Sequence, residues 1–265
     1  MPRFCYHQPL DYAVSTFPPT FAPPVHLASE SLPLPGPVDR MGYHPNDDRE
    51  YLNMGKYDHD VLMNHISNHC RSKEPPFRIL DFGCSSGRVL RHFDQERSSR
   101  GWRLYGADIQ AHPVEWIRRH FPKHFEVYTG SCMPSLPFED NHFDVIYGIS
   151  VFTHIKYLWD AWLLELRRVT KPGGLLIQTF HAEPAWEFYY EHRAEDWVRS
   201  GHAPEVLSAP RMDIDYLYFG DASVSQVFWK AEIAREFWGR YWDVVDLTPP
   251  PEKYSFQNWI VCRKS

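Results

Sequence analysis

The stretch Ile79-Leu80-Asp81-Phe82-Gly83-Cys84-Ser85-Ser86-Gly87-Arg88-Val89-Leu90 constrains this chain more than any other, because it joins an apolar run to a glycine-bearing turn and then to a helix start. Apolar residues through Phe82 suit a parallel strand covered on both faces. Gly83 and Gly87 admit positive φ and let a ligand come close to the backbone. The pattern reads as strand, nucleotide-cofactor cradle, helix.

Downstream the pattern alternates. Strands are predicted at Arg78 to Phe82, Arg103 to Ala107, Phe125 to Tyr128, Phe143 to Tyr147 and Leu175 to Phe180, with helical patterns at Arg88 to Phe93, Pro113 to His120 and Tyr157 to Val169. Leu158, Trp162, Leu166 and Val169 fall at helical spacing, and Lys171-Pro172-Gly173-Gly174 supplies a helix stop and a tight turn. Right-handed crossovers turn such a series into an α/β fold, a parallel sheet with helices on both faces. The last stretch differs. A helix from Lys230 to Arg240 leads to a strand from Trp242 to Leu247, and Pro249-Pro250-Pro251 connects it to a strand from Gln257 to Arg263, which predicts an antiparallel pair at the sheet edge.

Flanking and inserted segments set the domain boundaries. Residues 1–47 form a proline-rich arm, with Pro2, Pro9, Pro18, Pro19, Pro23, Pro24, Pro33, Pro35 and Pro37 excluding regular helix. Its rings Phe4, Tyr6, Tyr12, Phe17 and Phe21 leave two readings, an arm packed across the domain and a solvated tail. Residues 48–265 form the main domain, opening with helical segments whose apolar positions are Leu52, Val61, Leu62 and Ile66. His65, His69 and Cys70 share a face there without carboxylate support, so no metal site is expected. Residues 182–228 are an insertion after the fifth strand, rich in aromatic residues and on the carboxyl side of the sheet where open α/β folds bind ligands.

Composition narrows the partners. A net charge of -6 gives no electrostatic footprint for nucleic acid, and no apolar run approaches a bilayer span, so a soluble, cytoplasmic protein is expected. Cys5, Cys70, Cys84, Cys132 and Cys262 are odd in number and scattered, which points to reduced thiols. The arm is long enough to reach a neighbouring subunit, which makes a homodimer compatible with the sequence.

The motifs resemble class I S-adenosylmethionine-dependent methyltransferases of the UbiE-like, type 11/12 kind. Asp81-Phe82-Gly83-Cys84-Ser85-Ser86-Gly87 is similar to the family's first motif, with Ser85 where a middle glycine is common. Leu136-Pro137-Phe138 followed by Phe143 to Tyr147 resembles the segment around strand four, and Leu166 to Gly174 resembles the run into strand five. The resemblance spans residues 50–263. It implies a Rossmann-like, mostly parallel seven-stranded sheet whose last strand is antiparallel, with S-adenosylmethionine as cofactor and S-adenosylhomocysteine as product.

That resemblance assigns roles. Gly83, Cys84, Ser85 and Gly87 would form the turn against the methionine portion, with Asp81 toward its ammonium. Asp108 would take the ribose hydroxyls and Ile109 would flank the adenine, while Ser131, Cys132 and Met133 stand where the family often has an acid for the adenine amino group. Ile149 and the Ser150-Val151-Phe152-Thr153-His154 run would lie beside the sulfonium. His154 is the first candidate base and His181 the second, with a positioning role the alternative for His154. Phe152, Trp186, Tyr189 and Tyr190 are candidate substrate contacts, the alternative being ordinary core. The implied activity is methylation of a small molecule, a metabolite, natural product or glycan precursor, with an oxygen acceptor as the default and nitrogen, sulfur or carbon as the alternatives. A nicotinamide-dinucleotide oxidoreductase fits less well, because Gly-x-Gly-x-x-Gly is missing, and a non-catalytic domain of the same fold is the third reading.

Overall fold

The computed structural model describes residues 21–44, 46–71, 75–200, 206–220, 225–251 and 256–265. The arm residues Phe4, Cys5, Tyr6, Tyr12 and Phe17 lie outside them. Five strands, β1 (Arg78–Phe82), β2 (Arg103–Asp108), β3 (Phe125–Thr129), β4 (Phe143–Gly148) and β5 (Thr170–Phe180), run parallel. Then come a hairpin of β6 (Tyr216–Phe219) and β7 (Gln226–Trp229), and finally β8 (Asp243–Thr248) and β9 (Asn258–Arg263). The 7-stranded sheet has the order β3-β2-β1-β4-β5-β9-β8, with β9 antiparallel to both neighbours. The last strand thus slots between β5 and β8, as the resemblance implied.

Helices cover both faces: α1 (Asp48–His69), α2 (Asp94–Arg100), α3 (Ala111–His120), α4 (Trp159–Val169), α5 (Glu183–Glu191), α6 (Asp196–Ser200) and α7 (Ala231–Trp238). Successive strand residues point to opposite faces, so Ile79 and Val145 join one apolar core with Leu62 and Ile66 of α1 and Ile117 of α3. Leu80 and Ile146 join the other, with Leu163 and Leu166 of α4 and Trp238 of α7. Asp47 caps α1 by accepting from the Glu50 amide at 2.9 Å. Among the described residues no helix is long and apolar enough to cross a membrane.

Several local expectations shift. The helix expected over Arg88 to Phe93 is a 3-10 turn, Leu90–Phe93, that continues into α2. Leu158 is not on the buried stripe of α4: it precedes the helix at φ 57 and is exposed. Lys171 to Gly174 is part of β5, where register jumps from Phe143↔Thr170 to Val145↔Leu175 and Gly173 takes φ 77, so the turn survives as a bulge. The Lys171 ammonium clasps the Asp144 carboxylate at 2.7 Å across that bulge.

The described part of the arm is packed. Val25 bridges Leu34, and the buried Arg91 donates to the Leu32 carbonyl at 2.7 Å and the Pro33 carbonyl at 3.1 Å. Phe21 lies against the α3 side, its ring 4.5 Å from that of His112.

Trp238 is fully buried and 4.6 Å from the Phe152 ring, so it carries much of the second core. Trp238→Ala is expected to lower unfolding free energy by about 3–5 kcal/mol in urea denaturation, with Trp238→Phe losing less.

Candidate functional site

The first motif folds into a left-handed turn at the carboxyl end of β1. Gly83, Ser85 and Gly87 have φ of 87, 46 and 81, and a Cβ on Gly83 would stand 2.3 Å from a methyl of Val151. Ser85 occupies a region that disfavours side chains, and the Asp108 carboxylate holds it there. Asp108 accepts from the Ser85 amide through Oδ2 and from the Gln110 amide through Oδ1, both at 2.8 Å. One acid at the end of β2 therefore pins the β1 turn, and the carboxylate, which the Ile109 amide also approaches, keeps acceptor capacity for a further donor. Burial raises Asp108 above the usual carboxylate range, against the pull of these amides.

Around the turn lies a cavity of about 30 Å³ that includes Asp81, Gly83, Ser85 and Ile149, and that Arg40, Tyr43, Tyr51 and Arg88 close from the arm and α1 side. Arg40 donates to the Pro35 and His44 carbonyls and pairs with Asp48. Arg88 pairs with Asp58 at 2.7 Å, both buried, and its guanidinium lies 4.3 Å from the Tyr43 ring centroid. The Tyr51 hydroxyl is 3.4 Å from Ser86 Oγ. Ser85 Oγ is buried with no partner. An orphaned hydroxyl, a buried carboxyl and two buried guanidinium groups around a glycine turn fit the zwitterionic end of an amino-acid-bearing cofactor. The sequence reading missed Arg40, Tyr43, Tyr51 and Arg88, whose only signal was their place ahead of the turn or just inside it.

At the outer side Ile109 and Met133 are 45% and 47% exposed, soft apolar surface next to Asp108 that suits the face of a base. Ser131 Oγ is turned onto its own loop, 3.2 Å from the Met133 amide, and Cys132 is an exposed free thiol. Cys84 presents only backbone to the cavity, because its side chain is buried against Gly106.

Beyond β4 and β5 the inserted hairpin is stitched onto the main chain. The Val227 amide donates to the Thr153 carbonyl and the Trp229 amide to the His181 carbonyl, both at 2.9 Å. The hairpin thus lies past the carboxyl ends of β4 and β5. His154 is fixed by it: Nδ1 lies 2.6 Å from the Ser225 carbonyl, so this nitrogen carries the proton and Nε2 keeps its lone pair. Burial lowers the proton affinity of His154, which keeps the ring neutral at pH 7. Beside it the Thr179 hydroxyl accepts from the Ser150 amide at 2.8 Å and donates to Gln257 Oε1 at 2.6 Å, and the Gln257 amide also reaches Ser150 Oγ at 2.8 Å.

Other candidates are placed differently. His181 is 1% exposed, enclosed by the rings of Tyr189, Phe228 and Phe256, and burial holds its proton affinity well below the ordinary value. Its Nε2 lies 3.4 Å from Gln257 Nε2, so it backs the polar cluster from inside the core. Phe152 is not at a pocket surface, because its ring packs on Trp238. Trp186 is likewise core, its indole donating to the Ala209 carbonyl at 2.9 Å. Tyr189 donates to Gln226 Oε1 at 3.1 Å, and Tyr190 is half-buried beneath the Arg193 guanidinium at 4.2 Å. The insertion needs these rings for a core of its own, and that use leaves them little free surface. Gln257, Thr179 and Ser225 were not among the sequence candidates, since only the β5/β9 pairing and the hairpin bring them to the Ser150 loop.

Residues 80–178 match the family model described as "Methyltransferase domain". A 24-methylenesterol C-methyltransferase 2 from Oryza sativa subsp. japonica is 34% identical over 39% of this chain and 29% of its own length. A ubiquinone/menaquinone biosynthesis C-methyltransferase UbiE from Burkholderia cenocepacia is 33% identical over 39% of this chain and 42% of its own. The chain thus spans less than half the length of the curated relatives it matches. The PH0226 protein from Pyrococcus horikoshii OT3 superposes with a TM-score of 0.54 at 19% identity, over 83% of this chain and 93% of that one, which shows a shared fold.

Burial pushes the Asp81 carboxyl up to about 7, opposed by the Tyr147 hydroxyl and the Arg88 guanidinium. Below its ordinary 3.8 both folded and unfolded chains hold the proton; between 3.8 and about 7 the unfolded chain releases it first, so this group's contribution to stability is lost as pH rises and is gone above about 7. Asp81→Asn is expected to flatten that part of the stability profile in thermal unfolding scans between about pH 4.5 and 7.5. Ser85→Gly, which relieves the positive φ while keeping the Asp108 contact, is expected to leave stability equal or raise it by up to about 1 kcal/mol, and Ser85→Val to lower it.

Proposed function

We propose, from the premise that this chain carries a class I S-adenosylmethionine-dependent methyltransferase domain, that it transfers a methyl group to a small molecule bound under the inserted hairpin. The carrying observation is the Asp108 carboxylate tied to the Ser85 amide, which sets the glycine turn and a ribose-competent acid side by side. The sheet order supports the same reading, since a dinucleotide oxidoreductase sheet runs 3-2-1-4-5-6 with no reversed strand between its last members.

In this reading Asp81 faces the ammonium, Arg40 and Arg88 face the carboxylate, Asp108 takes the ribose, and Ile109 and Met133 flank the adenine. When bound, S-adenosylmethionine supplies a sulfonium-activated methyl, and S-adenosylhomocysteine is the product. What the chain adds is alignment and proton removal. Ser150, at φ 59, is locked by Thr179 and Gln257, which fixes the backbone that passes from Ile149 toward His154. The neutral His154, its tautomer set by the Ser225 carbonyl, takes the acceptor's proton at Nε2. His181 and Gln257 orient this cluster.

A general base matters for an acceptor whose reacting atom carries a proton near neutral pH. That class holds hydroxyl groups, the acceptor suggested by the sequence motifs, and acidic carbon atoms; the names of the two similar enzymes give a carbon acceptor without saying which kind. Product mass spectra with an isotopically labelled methyl donor separate oxygen from carbon acceptors. Calorimetric titration is expected to show binding of S-adenosylhomocysteine and none of NAD; binding of NAD alone would falsify the reading. Cofactor binding without methyl transfer to any compound in a broad panel would favour the non-catalytic domain. His154→Ala is expected to lower turnover by about 10²–10⁴ with cofactor affinity unchanged, and full turnover in that variant removes the imidazole from the mechanism.

A further inference from the structure

Away from the cofactor turn, at the C-terminal end of α1, a second cluster of chemistry-bearing side chains meets the edge of the sheet. His65 Nδ1 and His69 Nε2 lie 3.6 and 3.2 Å from the same oxygen, Oδ2 of Asp246 on β8. The donor atoms of all three residues fall within 4.8 Å of one another. Ordinary hydrogen bonding accounts for the His69 contact and not for the His65 contact, which is too long. A tetrahedral zinc ion with arms of about 2.0 Å holds its donors roughly 3.3 Å apart, the range both contacts occupy.

We infer that His65, His69 and Asp246 form a binding site for a divalent transition metal, zinc in the first instance, that clasps α1 to the edge strand β8. Residues four apart on a helix present their side chains on one face, and here the two rings stack at 24° with centroids 6.2 Å apart. Two imidazoles and one carboxylate are a donor set for zinc with a fourth position open to water. The surround holds the ligands in place: the Trp259 ring stands 5.6 Å from His65, and the Arg263 guanidinium donates to the His69 carbonyl at 2.9 Å. His69 and Asp246 remain partly exposed, with side-chain exposures of 21% and 30%, which gives an ion its entry path. The sequence showed no carboxylate beside these histidines because Asp246 arrives from a strand 177 residues further along the chain.

The test uses the full chain stripped with a chelator. Titration with zinc chloride alone is expected to show saturable binding of one ion and to raise the unfolding midpoint by about 5–10 °C at a hundredfold excess over the Kd. His69→Ala and Asp246→Asn are each expected to weaken binding at least tenfold, with circular dichroism and a cooperative unfolding transition confirming the fold. Cobalt(II) added to the unsubstituted chain checks the site even where a variant fails to fold, since tetrahedral coordination gives intense visible bands. No saturable zinc binding, binding weakened less than tenfold in those variants, or a pale octahedral cobalt spectrum would each overturn the inference and leave a hydrogen-bonded His69–Asp246 pair.

Discussion

The hydrogen bond from the Ser85 amide to the Asp108 carboxylate is the contact on which the candidate site depends. A turn with three left-handed residues in five positions is costly unless something outside it fixes the backbone. The next strand supplies that restraint at its last residue. The same carboxylate also holds the start of the chain into α3 through Gln110, so one side chain couples the turn after β1 to the crossover after β2. Parallel pairing of β1 with β2, which places Phe82 opposite Ala107, is what brings Asp108 to that point. The sheet is thus a positioning device for a bond between two loops.

Electrostatics around the turn follow from enclosing several charges in little space. Asp81 is buried and Asp108 half-buried, and the Asp108 charge raises the cost of ionising Asp81, which is part of why Asp81 holds its proton to about 7. Arg88 opposes this only weakly because Asp58 neutralises it at 2.7 Å. A ligand that brings its own ammonium and carboxylate would complete both halves: the ammonium would favour ionised Asp81, and the carboxylate would satisfy guanidinium charge now held by protein acids and carbonyls. The arm matters to this balance, since Arg40 and Tyr43 come from it and close the same cavity.

Much of the architecture was legible in the sequence because strand and helix periodicities are local. Ile79 and Leu80 announce a strand covered on both faces, and the structure places them in opposite cores. The glycine turn and Asp108 were legible for the same reason, since each marks the end of a strand. The polar cluster was not. Thr179, Gln257 and Ser150 come from β5, the approach to β9 and the loop after β4, and no spacing rule predicts that a reversed last strand delivers Gln257 beside His154's loop. Aromatic density left two readings open, binding surface and ordinary core, and the structure puts Trp186 in the insertion's own core and Phe152 in the second core of the sheet.

The two histidines show why residue type alone does not decide a role. Both lie past the carboxyl ends of adjacent strands, and burial lowers the proton affinity of both. What separates them is their surroundings. His154 donates to a main-chain carbonyl of the hairpin and so presents a defined lone pair on Nε2, whereas the His181 ring is walled by aromatic side chains. The hairpin that fixes the first imidazole also seals the second, through the Trp229 amide on the His181 carbonyl. One inserted element therefore gives the two histidines different surroundings, tying one ring by Nδ1 and enclosing the other. The arrangement of this face is set by how that hairpin docks, more than by any residue of the sheet beneath it.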